Sequence, residues 1–364
     1  TELGKTFELE ETRPGMFGQV VVRKEPLGVA AAVVPWNVPL FVTILKLAPA
    51  FLAGCSVVLK PAPETPLSAY DLHEIFAEAG LPPGVLNIVA AGREVGEHLV
   101  THPGIDKVGF TGSTAAGKRI AALCGELLRP CTLELGGKSA AIVLDDADLA
   151  QTVQGIIDGG ILNNGQACVA QTRILASRSR YDEVVDALTE AVAAQVVGDP
   201  MDPATQVGPL VADRQRDRVL GLIDKGKNEG ARVTTGGGRP AFDTGFFVDP
   251  TVFADVTNDM TIAREEIFGP VLSVIAYDGV DDAVAIANDS PYGLSGSVWG
   301  ADGAAAADIA RRMDTGTVTI NHFGMAFGAP FGGYKDSGLG RELGPEGVDA
   351  YLQKKSISLD PAAG

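Results

Sequence analysis

The sequence predicts an α/β fold built on parallel sheets with helices on both faces. Short apolar runs alternate with longer helical stretches up to Ala310, and turns rich in glycine and proline separate them. Strands that alternate with helices in this way form parallel sheets. No short-period repeat interrupts the pattern. Because such sheets bind ligands beyond the carboxyl ends of their strands, we expect a ligand site at that edge.

Composition and charge narrow the range of functions. The 364 residues are 46% hydrophobic, and a chain of this length predicts about two or three domains with sizeable cores. A formal net charge of -17 argues against nucleic acid and anionic membranes as partners. The four cysteines have no framework spacing, so we expect a reducing, cytoplasmic compartment. The longest apolar run, 47–59, is interrupted and too short for a membrane span.

The first half of the chain is expected to form the following elements in order. A mixed polar segment predicts an exposed antiparallel strand at 18–24, and β-branched residues and alanine predict buried strands at 28–34, 56–59, 85–89 and 107–110. Helices are expected at 40–53, 69–79, 93–99 and 113–128, where proline and glycine mark the boundaries.

A second unit is expected to begin near Gly136. Its first strand covers 139–144, and the acidic run 145–148 then starts a helix. The tail 351–359 alternates in character and predicts a final edge strand.

The run 163–173 places one cysteine, Cys168, among asparagine, glycine and glutamine. These residues predict a turn, which can present a thiol at a surface where it ionises and acts as a nucleophile. The alternative is that Cys168 is a small buried apolar residue, as most free cysteines are. This stretch alone does not decide between the two interpretations.

The run 112–119 nearly matches a phosphate-binding loop. It follows a strand and opens a helix, but its last position is Arg119, so the hydroxyl that would hold Mg²⁺ is absent. A nucleoside triphosphatase is therefore a weak alternative. What remains is a helix N-terminus that favours a phosphate of any ligand, or a plain strand–helix turn.

Three other groups carry candidate chemistry. His98 and His102 lie one helical turn apart, but the glutamate of a metalloprotease motif is missing, so we predict a surface pair and no metal site. Glu134 stands before a glycine pair in an apolar run, where desolvation would suit a general base. Glu266 precedes an aromatic residue and a rigid turn. A structural capping role is the alternative for both carboxylates.

Taken together, these runs resemble the aldehyde dehydrogenase superfamily. The matching motifs fall in the family's order and span nearly the whole chain: Pro35-Trp36-Asn37, Lys60-Pro61-Ala62, Phe110-Thr111-Gly112-Ser113, Glu134-Leu135-Gly136-Gly137-Lys138, the Cys168 run, Glu266-Ile267-Phe268-Gly269-Pro270 and Pro330-Phe331-Gly332-Gly333-Tyr334-Lys335. The family's chains begin earlier, so we expect this sequence to lack the first helices and strands of the coenzyme domain.

The resemblance implies a mechanism in which an aldehyde becomes a carboxylic acid. Cys168 would be the nucleophile, and Asn37 with the backbone N–H of Cys168 would hold the oxyanion. Glu134 would activate the water that hydrolyses the thioester, and Lys46 and Glu342 would relay its proton. An inactivated relative is the nonenzymatic alternative, although Cys168, Glu134 and Asn37 are all present.

The resemblance also implies a nicotinamide dinucleotide and the residues that hold it. These are Trp36, Lys60, Gly92, Gly96, Gly112, Ser113, Glu134, Leu135, Glu266 and Phe268. Many NAD-preferring members carry glutamate three residues after the motif lysine, whereas this chain has Pro63 there and Glu64 next to it. We expect NAD as the cofactor and leave NADP open, because the usual reason to reject a 2′-phosphate is weaker.

The predicted organisation has a Rossmann-like coenzyme domain, an α/β catalytic domain and a small β oligomerisation element. The boundaries are 1–26 for oligomerisation strands and linker, 27–136 for coenzyme binding, 137–337 for catalysis, 338–352 for a return to the coenzyme domain and 353–364 for an oligomerisation tail. We expect strands near Val20 and Ile357 to expose edges that join subunits of a homodimer or homotetramer.

The predicted substrate is a neutral, apolar aldehyde. The residues expected to line its pocket carry no positive charge: Val38, Phe41, Val42, Leu45, Leu162, Val169, Phe323, Met325 and Phe327. A substrate carboxylate would need an arginine or lysine in such a pocket, because an unpaired buried charge is costly.

Overall fold

The computed structural model describes residues 4–5 and 7–360, and it confirms the α/β class. The chain divides into two compact units: one runs up to Glu134 and includes Ala326–Gly332 and the residues from Leu339 onward, and the other contains Leu135–Met325 and Gly333–Gly338. The predicted oligomerisation ranges 1–26 and 353–364 extend to residues 1–3, 6 and 361–364, which lie outside the described residues. The functional roles assigned to the predicted domain ranges stay predictions.

The strands are numbered in chain order. The early strands are β1 (Glu10–Gly15), β2 (Gly18–Pro26), β3 (Val29–Val33), β4 (Ser56–Lys60), β5 (Leu86–Ile88), β6 (Lys107–Thr111) and β7 (Cys131–Glu134). The later strands are β8 (Ser139–Val143), β9 (Gln171–Ser177), β10 (Arg232–Thr235), β11 (Thr251–Ala254), β12 (Val271–Tyr277), β13 (Tyr292–Gly293), β14 (Gly296–Trp299), β15 (Thr319–Ile320), β16 (Tyr334–Lys335), β17 (Gly338–Leu339) and β18 (Leu352–Ser358).

Helices connect most of these strands, as the sequence pattern predicts. They cover Pro39–Leu52, Leu67–Glu78, Arg93–Thr101, Thr114–Glu126, Leu149–Gly160, Tyr181–Ala193, Asp213–Asn228, Thr261–Arg264, Val280–Asn288, Gly303–Ala310 and Gly344–Asp349. The acidic run before the fifth helix works as a cap, because the Asp148 side chain accepts a hydrogen bond from the Gln151 N–H at 2.8 Å. No helix in the described part of the chain is both long and apolar enough to cross a membrane.

The first unit is built on a parallel sheet in the order β5-β4-β3-β6-β7, with β17 beside β7. β3 pairs in parallel with both β4 and β6, so the chain fills one side of β3 first and then the other. This reversal is a topological switch point, where open parallel sheets leave a crevice at their carboxyl edge. The core of the unit includes Leu47, Val57 and Leu59, none of which is measurably exposed.

A smaller antiparallel sheet in the first unit corrects one expectation about edges. Its order is β1-β2-β18, so β2, which contains Val20, is paired on both sides. Among the described strands the edges of this sheet are therefore β1 and β18, and the predicted edge near Val20 is wrong. The final strand predicted at 351–359 is confirmed as β18, an edge strand that contains Ile357.

The second unit contains a larger sheet in the order β10-β11-β12-β9-β8-β14-β15. β9 lies in the middle and pairs in parallel with β8 and β12. Successive residues of β8 contribute to cores on opposite faces, with Ile142 in one core and Val143 in the other. This is the pattern of a strand covered on both faces, and it explains why β8 is apolar throughout.

We predict that Gly155→Ala destabilises the second unit although alanine favours helices. A Cβ at Gly155 would lie 2.0 Å from Cη2 of Trp299, a ring that is 1% exposed. The ring cannot easily move, because its Nε1 donates to Ser297 Oγ at 2.7 Å. Overpacking of this kind costs about 1–3 kcal/mol, measured as the loss of unfolding free energy in urea.

The matched control is Gly221→Ala in the helix Asp213–Asn228. No heavy atom lies within 4 Å of a Cβ built there, so this change should stabilise the protein by about 0.4–1 kcal/mol. A Gly155→Ala protein as stable as the Gly221→Ala control would contradict the packing described here.

Candidate active site

The predicted coenzyme residues of the first unit lie at the carboxyl edge of its sheet. Trp36 follows β3, Lys60 ends β4, Ser113 follows β6 and Glu134 ends β7. Thr111 and Glu134 are paired across β6 and β7, and the Gly112 N–H donates to the Glu134 carbonyl at 3.0 Å. Four motifs that are far apart in sequence therefore meet at one edge, as strands of a parallel sheet require.

Glu134 is a deeply buried carboxylate of the first unit. Its side chain is 2% exposed, and neither oxygen has a hydrogen-bond partner among the described residues. Burial raises its pKa well above the usual range, the neighbouring Glu342 charge raises the pKa further, and Lys46 and Arg341 oppose the shift. A raised pKa makes the Glu134 carboxylate a stronger proton acceptor, which is what a general base requires.

Lys46 and Glu342 form a buried ion pair beside Glu134. The Lys46 ammonium donates to Glu342 Oε1 at 2.5 Å and to Thr111 Oγ1 at 2.6 Å, and both charged side chains are at most 6% exposed. Glu342 is held from the backbone as well, because it exchanges two hydrogen bonds of 2.7 Å with Phe331. The three residues that the resemblance assigned to proton transfer thus lie in one cluster.

Gly332 makes room for the Glu134 carboxylate. A Cβ at this position would lie 2.7 Å from Glu134 Oε1 and 2.8 Å from the Gly340 carbonyl oxygen. The motif that contains Gly332 also contains Phe331, which anchors Glu342. The segment 330–332 therefore positions both Glu134 and Glu342.

The remaining coenzyme residues of this unit have distinct local roles. Lys60 donates to the carbonyls of Pro61 and Ala91 at 2.9 and 2.8 Å, and desolvation lowers its pKa. Its side chain packs on Gly96, where a Cβ would lie 3.1 Å from Lys60 Cε. Ser113 caps the helix Thr114–Glu126, and Gly92 occupies the corresponding position before Arg93–Thr101.

In the second unit the predicted site residues lie at the opposite end of their strands. The run Gly136-Gly137-Lys138 precedes β8, Cys168 precedes β9, and Glu266 precedes β12. Because β8, β9 and β12 are neighbours in the sheet, these three segments meet at its amino edge. These residues therefore rest on loops that enter the strands, whereas the ligand edge expected for a parallel sheet is the carboxyl one. Where a ligand binds stays a prediction.

Close backbone approach brings these three segments together. A Cβ at Gly137 would lie 2.3 Å from the Cys168 carbonyl oxygen, and one at Gly136 would lie 2.6 Å from Glu266 Oε2. The Gly137 N–H donates to Glu266 Oε1 at 2.9 Å. Burial raises the pKa of Glu266 to about 7, although the hydrogen bond from the Gly137 N–H lowers it. Only glycine fits both positions without displacing the cysteine or the carboxylate.

The turn before Cys168 is bent and firmly anchored. Asn163 and Asn164 adopt left-handed conformations with φ of 52° and 59°, which asparagine tolerates better than most residues. Asn164 Oδ1 accepts from the Gly208 N–H at 2.9 Å, and Gln166 Oε1 accepts from the Val211 N–H at 3.0 Å. Cys168 is half-buried in the turn that follows, so the turn predicted from the sequence is confirmed.

The Glu266 loop and Lys138 complete the polar surroundings of the second unit. Phe268 has a left-handed φ of 61°, and its carbonyl accepts from Gln215 Nε2 at 2.8 Å. Leu135 donates its N–H to the Ser337 carbonyl at 2.9 Å. The Lys138 ammonium is fully buried, and desolvation lowers its pKa to about 7.

The residues predicted for the substrate pocket fall into two groups. In the first unit Phe41 and Phe327 stack edge to face at 6.1 Å, Val38 is exposed, Leu45 is buried, and Val42 packs in the core. In the second unit Phe323 packs on Gly159, Leu162 is 45% exposed, and Val169 and Met325 are half-buried. Their assignment to a pocket stays a prediction.

Sequence reasoning gave no role to several residues that the structure places in the site. Thr111 and Gly332 lie in motifs whose other residues were given roles in the site. Membership of those motifs was the signal that could have identified them.

The other candidate groups lie elsewhere on the protein. Arg119 pairs with Glu97 at 2.9 Å on the surface. His98 and His102 stack at 5.6 Å, and the described residues contain no group of three or more His, Cys, Asp or Glu side chains arranged to hold a metal.

An open parallel sheet with a switch point is an arrangement that binds ligands in the crevice at its carboxyl edge. The family profile described as "Aldehyde dehydrogenase family" matches residues 4–357. The chain belongs to the aldehyde dehydrogenase family, whose members oxidise aldehydes. The resemblance seen in the motifs is thereby confirmed, and the triphosphatase alternative falls away.

Individual relatives are similar over almost the whole chain. It is 58% identical to a geranial dehydrogenase of Castellaniella defragrans, over 98% of this chain and 75% of the relative. A crystal structure of Mycobacterium tuberculosis aldehyde dehydrogenase complexed with NAD+ is 56% identical with a TM-score of 0.97, covering 98% and 74% of the two chains. A mutant of aldehyde dehydrogenase C from Pseudomonas syringae, complexed with NAD+ and octanal, is 44% identical with a TM-score of 0.94, covering 98% and 73%.

We predict that Gly332→Ala destabilises the first unit by about 1–3 kcal/mol, because the new methyl group meets the Glu134 carboxylate and the Gly340 carbonyl. Gly328→Ala is the control, since no heavy atom lies within 4 Å of a Cβ there. Its change should stay within about 0.5 kcal/mol in urea unfolding. Equal stability of the two variants would show that the Glu134 carboxylate can move aside freely.

Proposed function

We propose that this chain oxidises an apolar aldehyde to its carboxylic acid through covalent intermediates on Cys168, with hydride transfer to NAD. The family membership supports the reaction. The observation that carries the nucleophile is the anchored turn that presents Cys168, with its carbonyl against Gly137. An inactivated relative would not need to keep this turn together with a desolvated Glu134.

The first step is attack of the Cys168 thiolate on the aldehyde carbon. The C–S bond forms while the carbonyl π electrons move to oxygen, giving a thiohemiacetal alkoxide. In this proposal the Asn37 side chain and the Cys168 N–H donate hydrogen bonds to that oxygen as its charge develops. At this step the chain would supply hydrogen-bond donors in fixed positions and an ionised sulfur.

NAD is the coenzyme we propose, because similar structures contain it, and the residues present fit a dinucleotide. Gly112 leaves a cradle that a Cβ could not share with the Phe110 ring, 2.5 Å away, and Ser113 begins a helix at the switch-point edge. Lys60, Trp36, Gly92 and Gly96 would hold the adenosine side and the pyrophosphate, and Glu266 with Phe268 the nicotinamide end. When bound, the nicotinamide accepts the hydride that the collapsing alkoxide expels.

Glu134 acts after hydride transfer, when a thioester remains on Cys168. It takes a proton from water, whose oxygen attacks the thioester carbon, and the C–S bond breaks to release the acid and the thiolate. The buried Lys46–Glu342 pair then lies within the same cluster to pass the proton onward. The raised pKa of Glu134 strengthens it as a base for this step.

The apolar substrate class is supported by the side chains and by the relatives. Phe41 and Phe327 form an aromatic pair that remains partly exposed at 37% and 64%. The relatives include a dehydrogenase named for geranial and a structure that contains octanal, and both are uncharged apolar aldehydes. Each methylene group buried by a longer substrate would contribute about 0.8 kcal/mol.

We also propose that the chain forms a homo-oligomer in a reducing compartment. The free edges of β1 and β18 suit strand addition by another subunit, which supports a homodimer or homotetramer. Four free cysteines in the described chain support a reducing, cytoplasmic compartment.

We predict that Cys168→Ala abolishes aldehyde-dependent reduction of NAD, whereas alanine at Cys55 does not.

Glu134→Gln should keep a single burst of reduced coenzyme, because attack and hydride transfer precede its role, while steady turnover falls by about 10²-fold or more. Stopped-flow absorbance of the reduced nicotinamide separates burst from turnover. Oxidation by the Cys168→Ala protein would rule out the nucleophile, and equal loss of burst and turnover would place Glu134 earlier in the reaction.

The pH dependence of thioester hydrolysis should follow the charge of Glu134. Its rate should rise with pH through the raised pKa of Glu134, since only the ionised carboxylate accepts a proton from water. Glu342→Gln removes a like charge and leaves the Lys46 cation unbalanced, so the midpoint should move to lower pH. Hydrolysis of an activated ester, followed from pH 5 to 10 by leaving-group absorbance, measures the midpoint. A midpoint that moves upward or stays in place would contradict the coupling.

We predict that hexanal is oxidised with a higher kcat/KM than succinic semialdehyde, because no cation stands among the predicted pocket residues to pair with the carboxylate. From acetaldehyde upward kcat/KM should rise about three- to fourfold per methylene, as about 0.8 kcal/mol implies, until the pocket is full. Initial rates with NAD and with NADP complete the panel. A preference for the semialdehyde would reveal a cation in the pocket and overturn the substrate class.

A further inference from the structure

One residue beside the buried ion pair of the first unit has a backbone conformation that leucine rarely adopts. Leu343 directly follows Glu342, and its φ of 59° and ψ of 171° place it at the edge of a region that is essentially restricted to glycine. A leucine in this region is strained, because its Cβ crowds the neighbouring backbone. Such residues persist only where the surrounding structure determines their conformation, and they cluster at functional sites.

Two anchored segments impose this conformation on Leu343. On one side Glu342 exchanges two backbone hydrogen bonds of 2.7 Å with Phe331. On the other side the helix Gly344–Asp349 is fixed in the core of the unit through Val348, which is 2% exposed. Leu343 is the single residue between these two segments, so it has to adopt the conformation that joins them.

The turn at Leu343 brings the helix back onto Glu342. The Gly347 N–H donates to the Leu343 carbonyl at 2.9 Å. A Cβ at Gly347 would lie 3.1 Å from the carbonyl carbon of Glu342 and 3.4 Å from its Cα. The backbone of Glu342 is therefore held between Phe331 and the helix, and this arrangement requires the turn.

We propose that the strained backbone of Leu343 positions the Glu342 carboxylate against the Lys46 ammonium. Glycine at this position, next to Gly344, would make other turn conformations accessible, and the helix could then move away from Glu342. Lys46 Nζ lies 2.5 Å from Glu342 Oε1, so a displacement of more than about 1 Å would break the hydrogen bond. Leu343 acts here as a positioning residue, and its effect on the reaction rests on the proposed proton relay through Lys46 and Glu342.

The groups around the Glu342 carboxylate set the direction of the expected pH effect. The titratable groups near it are Lys46, Lys107, Glu134, Arg341 and Tyr351. Lys46 lowers the pKa of Glu134, and the charge of Glu342 raises it. A Glu342 carboxylate that moves away from Lys46 leaves more of the lysine charge to act on Glu134, so the pKa of Glu134 should fall. The midpoint of thioester hydrolysis should therefore move to lower pH.

Leu343→Gly and Leu343→Ala separate the backbone effect from the loss of the leucine side chain, because only glycine relieves the strain. The primary measurement is the distance between Lys46 Nζ and Glu342 Oε1 in crystal structures of both variants. It should stay near 2.5 Å in Leu343→Ala and exceed hydrogen-bonding distance in Leu343→Gly. A Leu343→Gly protein that fails to fold would contradict the proposal, since relief of strain cannot prevent folding.

Unfolding in urea tests the strain itself. In the Glu342→Gln background, where the ion pair is absent, Leu343→Gly should unfold at a higher urea concentration than Leu343→Ala. The control in the same background is Ala350→Gly, because Ala350 has a helical φ of −64° and glycine should lower the urea midpoint there. A Leu343→Gly protein that unfolds before Leu343→Ala would show that Leu343 is not strained.

The pH dependence of ester hydrolysis tests the consequence for the reaction. Leu343→Gly should move the midpoint to lower pH, by no more than Glu342→Gln does, whereas Leu343→Ala should leave it in place. Leu128→Gly is the control, because Leu128 also has a positive φ, of 50°, but is 92% exposed on the turn that follows the helix Thr114–Glu126. Its midpoint should equal that of the unmodified protein.

Two further results would overturn the proposal. One is a Lys46–Glu342 distance that is unchanged in Leu343→Gly. The other is a midpoint that Leu343→Gly leaves in place although Glu342→Gln lowers it. If Glu342→Gln itself does not move the midpoint, the proposed relay is wrong, and the distances in the two crystal structures alone decide whether Leu343 positions Glu342.

Discussion

Burial of the Glu134 carboxylate without a hydrogen-bond donor among the described residues is the constraint on which the first unit depends. An isolated buried charge costs several kcal/mol, so burial raises the pKa of the Glu134 carboxyl group. The surroundings do not cancel this effect, since Lys46 is committed to Glu342 at 2.5 Å and to Thr111. Hydrogen-bond donors to the Glu134 carboxylate would stabilise its ionised form and make it a weaker base.

In the second unit the constraint is different: the loop that carries Cys168 is held with little conformational freedom. Three loops enter neighbouring strands, and backbone contacts at Gly136 and Gly137 leave almost no space between them. The asparagines before Cys168 adopt left-handed conformations, and the Asn164 side chain donates to the Pro209 carbonyl and accepts from the Gly208 N–H on another loop. Rigidity here comes from backbone packing, which side-chain substitutions elsewhere would not easily loosen.

Much of this arrangement was readable from local sequence pattern. Strand and helix positions followed from apolar runs and their glycine and proline boundaries, and the turn at Cys168 followed from its polar neighbours. The edges of the small sheet did not, because pairing of β2 on both sides depends on β18, more than three hundred residues away. Local pattern shows that a strand is exposed to solvent on its faces but not whether its edges are paired.

The site could be predicted in its residue types but not in its contacts. Glu134 and Gly332 are nearly two hundred residues apart, so no spacing rule links the carboxylate to the glycine that makes room for it. The amino-edge position of Cys168 was missed for a similar reason, since the general rule for parallel sheets concerns carboxyl edges. Long-range packing decides both points.

The two carboxylates with the clearest shifts share one physical arrangement. Glu134 stands against Gly332, and Glu266 stands against Gly136 and Gly137. In each case a missing Cβ lets the backbone approach a carboxylate so closely that water is displaced, and desolvation becomes the largest cause of the raised pKa. Glu266 keeps one backbone donor, which opposes the rise of its pKa to about 7, whereas Glu134 has no such donor among the described residues. The glycines of these motifs therefore contribute to the burial that raises the pKa of their neighbours, in addition to shaping the path of the chain.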